Sequence, residues 1–173
     1  MVHPTSFGQR ALWFLHQLAP ASAAYHIARA IRITSHLDAP ALERAFANLV
    51  RRHASFRTSF KILNEEPFQE LHEQVRSPIA VLDASQWSES QLNDFISEEA
   101  RRPFDLRQAP LLRATLLQRS ELDHVFLLTV HHIISDLWSW EIFMGELEAF
   151  YSAERHLTEG PPSSPKVQYT DYV

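Results

Sequence analysis

Two apolar runs, Leu111–Gln118 and Val125–His132, stand on either side of the short polar stretch Ser120–Asp123. Runs of that length and composition, separated by a turn signal, read as two strands that pair. From about Leu137 to Ala153 the pattern changes to helical spacing, with Trp140, Phe143, Met144, Leu147 and Tyr151 on one face. An aromatic stripe of this kind belongs to a core. A strand pair that runs straight into a long one-faced helix demands a sheet with helices packed on it, which excludes all-helical and all-β folds.

The rest of the chain supplies both kinds of element. Ser6–Leu18 places Phe7, Ala11, Leu12, Leu15 and Leu18 on one stripe and predicts an amphipathic helix, stopped by Pro20. Tyr25–Ile33 reads as a strand. Asp38 is a candidate N-cap, with Pro40 in the first turn, for a helix that buries Leu42, Phe46, Leu49 and Val50. That helix ends on Arg51, Arg52 and His53, where cations suit its dipole. Arg57–Leu63 and Pro67–His72 form a hairpin with a somewhat longer turn through Asn64–Glu66. Ile79–Leu82 is a further strand. Ser88 or Ser90 caps a helix running to Arg101, with Leu92, Phe95 and Ile96 inward, and Pro103–Pro110 is an irregular link. Gly160–Pro165 reads as a linker. Mixed helices and strands without strict alternation predict an α+β or α/β sandwich around one sheet.

Composition removes several functions. The chain has 173 residues and no cysteine, so it is long enough for one real core and carries no disulfide scaffold, thiolate zinc site or cysteine nucleophile. Three glycines leave no room for a glycine-rich phosphate loop or a dinucleotide fingerprint. A net charge of -5 without a long basic run argues against nucleic acid or an anionic membrane surface as partner. No apolar stretch approaches the ~20 residues that span a bilayer, and no signal peptide is recognisable, so a cytoplasmic protein is expected.

The chemistry concentrates in Val130–Ser139, where an apolar strand delivers His131 and His132 to its end and Asp136 stands where a helix begins. Neighbouring side chains on a strand point to opposite faces, so the two imidazoles cannot share one metal or act as one dyad. One packs inward while the other faces a cleft. A neutral imidazole can accept a proton or hold a nucleophile, an effect worth ~10²–10⁴-fold in typical enzymes. Alternatively the histidines are a structural strand end, and Asp136 is a helix cap worth ~1 kcal/mol. The remaining histidines, His3, His16, His26, His36, His53, His72, His124 and His156, have no metal-ligand spacing. Ser135 and Ser139 have no flanking glycine, so no nucleophile elbow is present. Spacing alone reaches histidine-based acyl chemistry and no further.

Val130–Ser139 resembles the His-His-x-x-x-Asp-Gly motif of the condensation domains of nonribosomal peptide synthetases, relatives of chloramphenicol acetyltransferase. Ser6–Leu15 resembles the family's opening motif. Arg52–Phe60 resembles its second motif, Arg-His-x-x-Leu-Arg-Thr-x-Phe, and Pro103–Leu106 with Pro110–Arg113 resembles the segment ahead of the histidines. Tyr169–Val173 resembles the following Tyr-x-Asp-Tyr motif. These motifs occur in the family's order along nearly the whole chain.

The resemblance implies a chloramphenicol acetyltransferase-like lobe, with a mixed β-sheet flanked by helices. It implies an enzyme that joins an acyl or peptidyl thioester on one carrier protein to the amine of an aminoacyl thioester on another. No cofactor is bound directly, because both substrates ride on phosphopantetheine arms. His132 falls on the catalytic position, as base or as orienting group, and His131 steadies the strand end. Asp136 becomes a support that turns back to an arginine of the second motif, Arg57 in first place and Arg52 in second. Leu137, Trp138 and Ser139 would line the substrate channel. Leu137 stands where the family has glycine, which implies a narrowed or reshaped site; Phe56 replaces a leucine and Ala54 an acid. The family's full domain has two lobes, so residues 1–159 match an N-terminal lobe, and 160–173 match the linker and crossover to a C-terminal lobe. Carrier proteins and that second lobe are the implied partners. Other assignments compatible with the motifs are a scaffold that binds carrier proteins without catalysis, and a trimeric free-standing acyltransferase.

Overall fold

The computed structural model describes residues 1–76, 78–156, 165 and 167–173, with backbone only at Leu137 and Tyr172. In chain order the elements are β1 (Val2–Pro4), α1 (Phe7–Leu18), β2 (His26–Ile33), α2 (Ala39–Arg52), β3 (Thr58–Leu63), β4 (Glu66–Leu71), β5 (Ile79–Asp83), α3 (Glu89–Arg101), β6 (Leu112–Ser120), β7 (Asp123–His131) and α4 (Leu137–Glu154). Short 3-10 turns occupy Ala54–Arg57 and Tyr169–Tyr172.

The strands form two sheets rather than the single one expected. One is antiparallel in the order β1-β4-β3; the other has the order β2-β7-β6-β5 and is mixed, since β5 pairs parallel to β6. The three residues of β1 carry no readable period; only pairing with β4 (Val2 opposite Glu70, His3 opposite Gln69) makes them a strand. β6 and β7 do pair, with Leu116 opposite Phe126 and Leu112 opposite Val130.

β7 is buried on both faces and organises the core. Its even-numbered residues Phe126, Leu128 and Val130 pack with α2 and α4, where Phe46 meets Phe126 and Phe143 edge-on. On the other side, Val125 and Leu117 pack with Leu92 of α3 and with Ala84. Burying each such large apolar side chain contributes roughly 1.5–3 kcal/mol. The helices start where their caps stand: the Ser6, Asp38, Ser88 and Asp136 side chains accept the N–H groups of Gln9, Ala41, Gln91 and Ser139. Among the described residues no helix is long and apolar enough to cross a membrane.

Two local expectations need correction. The β3–β4 turn is short, with Asn64 and Glu65 both at positive φ, as a two-residue hairpin loop of the right twist requires. And α1 is helical but turned the other way. It packs Leu12 and Trp13 against the core, and leaves Phe7, Ala11, Phe14, Leu15 and Leu18 exposed, Phe7 at 92%. The Gly160–Pro165 linker lies outside the described residues except for Pro165.

Candidate functional site

The two histidines part company at the end of β7. His131 lies on the odd-numbered side of the strand, opposite His26 of β2, and is 1% exposed. Its ring sits edge-on to His26, His16 and Phe104, with centroids 5.7, 5.9 and 6.1 Å away. Its Nδ1 accepts the Ile133 N–H at 3.1 Å, which assigns the proton to Nε2. Burial, and then the neighbouring His26, His16 and His132 rings, pull its pKa from the usual 6.5 to about 3. It is neutral at any physiological pH.

His132 begins the turn. Its N–H donates to the Tyr25 carbonyl at 2.8 Å, its carbonyl accepts the Ser135 N–H at 3.4 Å, and its side chain is exposed. It lines a cavity of about 300 Å³ together with Gly8, Gln9, Leu12, Ser55, Ser139 and Tyr169. The second wall of this cavity is therefore α1, and its rim is closed by the last described segment, where the Tyr169 hydroxyl donates to Ser6 Oγ at 2.8 Å. A smaller cavity of about 100 Å³, lined by Phe56, Ile142 and Phe143, shares Ser55, Ile134 and Ser139 with the first.

Asp136 is held by Ser139, and among the described residues its side chain is bonded to no arginine. Its Oδ1 accepts both the Ser139 N–H at 2.8 Å and the Ser139 hydroxyl at 2.6 Å, while its own N–H donates to Ser139 Oγ at 3.3 Å. These bonds hold its pKa below the ordinary carboxylate value. The reciprocal cap holds the carboxylate, which is exposed, at the N-terminus of α4, where negative charge suits the helix dipole. Arg57 is directed elsewhere and donates to the carbonyls of His72 and Glu73 at 2.5 and 3.1 Å. Arg52 meets Glu146 of α4 at 3.0 Å, where His53 Nε2 also stands 2.5 Å from that carboxylate. Both arginines brace the scaffold behind the cavity, Arg57 on the β4 end and Arg52 on the α2–α4 contact.

Ser139 lines the cavity, and Trp138 is 79% exposed next to it. The side chain of Leu137 lies outside the described residues. Among the described residues no group of three or more potential ligands is gathered for a metal ion. Two further residues contribute: Gln9, which lies in the opening motif but takes no role from the resemblance, and Gln168, which lies outside the motifs. Gln9 is buried and donates from Nε2 to the Ile133 carbonyl at 3.3 Å. Gln168 accepts the Ala54 N–H at 2.9 Å and donates to the Arg52 carbonyl at 3.3 Å, tying the last segment to the second motif. For Gln9 the signal in the sequence is a polar residue at the third helical position after Ser6. For Gln168 no local pattern exists, since its partners lie more than a hundred residues away.

Comparison with known proteins agrees with this geometry. The chain is 40% identical over 175 residues to the chondramide synthase of Chondromyces crocatus, a match covering 99% of this chain and 4% of that protein. Its fold resembles the starter condensation domain of rhizomide synthetase, with a TM-score of 0.85 at 21% identity, covering 96% of this chain and 42% of that one. It is also similar to the X-domain solved in complex with OxyB from teicoplanin biosynthesis, with a TM-score of 0.84 at 29% identity, covering 98% of this chain and 36% of that one. The chain thus spans a small fraction of the synthase and well under half of these solved chains. The family model for the condensation domain matches residues 2–173, so the chain belongs to the condensation-domain family.

Proposed function

We propose that residues 1–159 are the N-terminal lobe of a peptide-synthetase condensation domain, with 160–173 leading to a C-terminal lobe. In this reading the domain forms an amide between an acyl or peptidyl thioester and an aminoacyl thioester, both held on phosphopantetheine arms of carrier proteins. The amine nitrogen forms a bond to the thioester carbonyl carbon, the carbon–sulfur bond breaks, and the amine's proton leaves as the thiol is released. His132 sits at the reacting amine and orients it or takes its proton. Ser139 and Trp138, with Leu137, border the substrate channel.

The observation that carries this reading is the division of labour at the strand end. One imidazole is buried, neutral and already bonded, while the next is presented to an open cavity. Incompleteness of the lobe is supported by its outer surface. Phe7, Phe14, Leu15 and Leu18 of α1 and Trp138 and Ile142 of α4 are exposed, and large apolar sets of this kind mark surfaces that something else covers. With one wall of the cleft, orientation of two tethered substrates is lost, so the lobe alone should catalyse poorly.

The test is amide formation with loaded carrier proteins, comparing this chain with one extended through a second lobe. Product is expected only from the extended protein, and equal turnover would overturn the two-lobe reading. A second reading, a binding module with an idle histidine motif, is favoured by the likeness to the X-domain, which was solved in a complex with OxyB. His132→Ala separates the two. A loss of ~10²-fold or more in the extended protein supports catalysis; unchanged product supports the binding module.

A further inference from the structure

Gln9 is 4% exposed and its side-chain amide joins three separate parts of the fold. Its Oε1 accepts the Ser6 N–H at 3.0 Å, and its Nε2 donates to Gln69 Oε1 at 3.0 Å and to the Ile133 carbonyl at 3.3 Å. Gln69, on β4 and 1% exposed, donates in turn to the Pro4 carbonyl at 2.8 Å. The three-stranded sheet, the start of α1 and the turn after β7 therefore meet on two amide side chains. Capping α1 does not by itself require glutamine, because a glutamate at this position also accepts the N-cap N–H. What glutamate lacks is a donor for the two buried oxygens, Gln69 Oε1 and the Ile133 carbonyl.

The Ile133 peptide is pinned on both sides. Its N–H goes to His131 Nδ1 at 3.1 Å and its carbonyl to Gln9. His132 precedes it directly, and its own N–H is held by Tyr25. Removing the Gln9 donor would leave a buried carbonyl unsatisfied, and the turn would have to rearrange to find water.

We propose that Gln9 is a positioning residue for His132: with Gln69 fixing its amide, it sets the turn that presents the imidazole to the cavity. The N-terminal segment Met1–Gln9 is then part of the site although it contributes no reacting group. Only the catalytic consequence rests on the functional reading above; the placement of His132 can be measured directly.

The experiment uses the full chain, with NMR observation of the His132 ring and of the Ile133, Ile134 and Ser135 amides, in Gln9→Met, Gln69→Met and the double variant. Gln9→Met is expected to shift these signals and to speed amide exchange at Ile133 and Ile134 by about ten-fold, while amides of β5 and α3 stay unchanged. Gln69→Met is expected to move the same signals in the same direction by less. The double variant should add little to Gln9→Met, because the two residues act in series. Should Gln9→Met fail to fold, Gln69→Met decides alone, since it touches neither the α1 cap nor the turn. Unmoved His132 and Ile133–Ser135 signals in a folded variant, or fully additive effects, would overturn the proposal. Shifted signals in a protein whose extended form makes no amide would leave this proposal standing and remove the functional reading.

Discussion

The ring of His131 is enclosed by three aromatic rings and spends its Nδ1 lone pair on the Ile133 N–H, so protonation would cost both solvation and a hydrogen bond. The consequence for stability has a definite sign. Its folded pKa of about 3 lies below the 6.5 of an ordinary imidazole, so the unfolded chain binds a proton that the folded chain refuses. Above 6.5 the contribution is complete; as pH falls from 6.5 towards 3 it is lost, at up to about 1.4 kcal/mol per pH unit. His26 and His16, both lowered by burial first, add in the same direction. Urea midpoints should therefore fall steeply between pH 6.5 and about 4.5, and His131→Gln should flatten that fall. A second residue-scale test concerns Asp136. As a cap it should cost about 1 kcal/mol on replacement by alanine, with Asp136→Asn retaining most of it. A broken buried ion pair would instead cost ~3–5 kcal/mol, so chemical denaturation of Asp136→Ala distinguishes the two roles.

At the scale of elements, period and cap together are enough to read most of the chain. α2 and α3 start where Asp38 and Ser88 stand, and the residues expected inward on α2 are buried. The hairpin of β3 and β4 is legible, but its turn is not, because Asn64 and Glu65 carry no glycine to announce positive φ. Glu65 at φ 67 is in the left-handed region that disfavours a side chain. Glu65→Gly is expected to stabilise the fold by roughly 0.5–1 kcal/mol, read as a raised thermal midpoint. α1 is the element whose period misleads. It has two apolar faces, and the larger stripe, Phe7–Ala11–Phe14–Leu15–Leu18, faces out. Phe14→Ser should therefore change stability by no more than about 0.5 kcal/mol, whereas Phe46→Ala in α2 should cost ~3–5 kcal/mol. Thermal or chemical melts of the two variants check the contrast.

For the whole molecule, the site is assembled at the end of β7 in the β2-β7-β6-β5 sheet by segments remote from one another along the chain. α1 brings Gln9, the turn Ala54–Arg57 brings Ser55, and Tyr169 closes the rim. The same assembly leaves α1 and the start of α4 with apolar side chains in solvent. Under the two-lobe reading, the isolated chain should associate with rising concentration and bind a hydrophobic dye, and extension through a second lobe should suppress both. Light scattering and dye fluorescence on the two proteins measure this. A monomeric, dye-silent isolated chain would count against a covered face.

Local sequence was sufficient for whatever depends on neighbours in the chain. Helix period, cap chemistry and strand alternation are set within a few residues, which is why the helices, β6 and β7 are legible in spacing, though not the face that α1 buries. The motifs spread in order from Ser6 to Val173 together carried the resemblance to the family. Tertiary structure alone decided what depends on partners remote in sequence. That strands divide into two sheets, that Arg57 turns to His72 and Glu73, and that Gln9 reaches Ile133 are outcomes of competition among partners that only folding brings together. A donor's choice among acceptors is settled by distance and desolvation in the folded core, and no period along the chain encodes it.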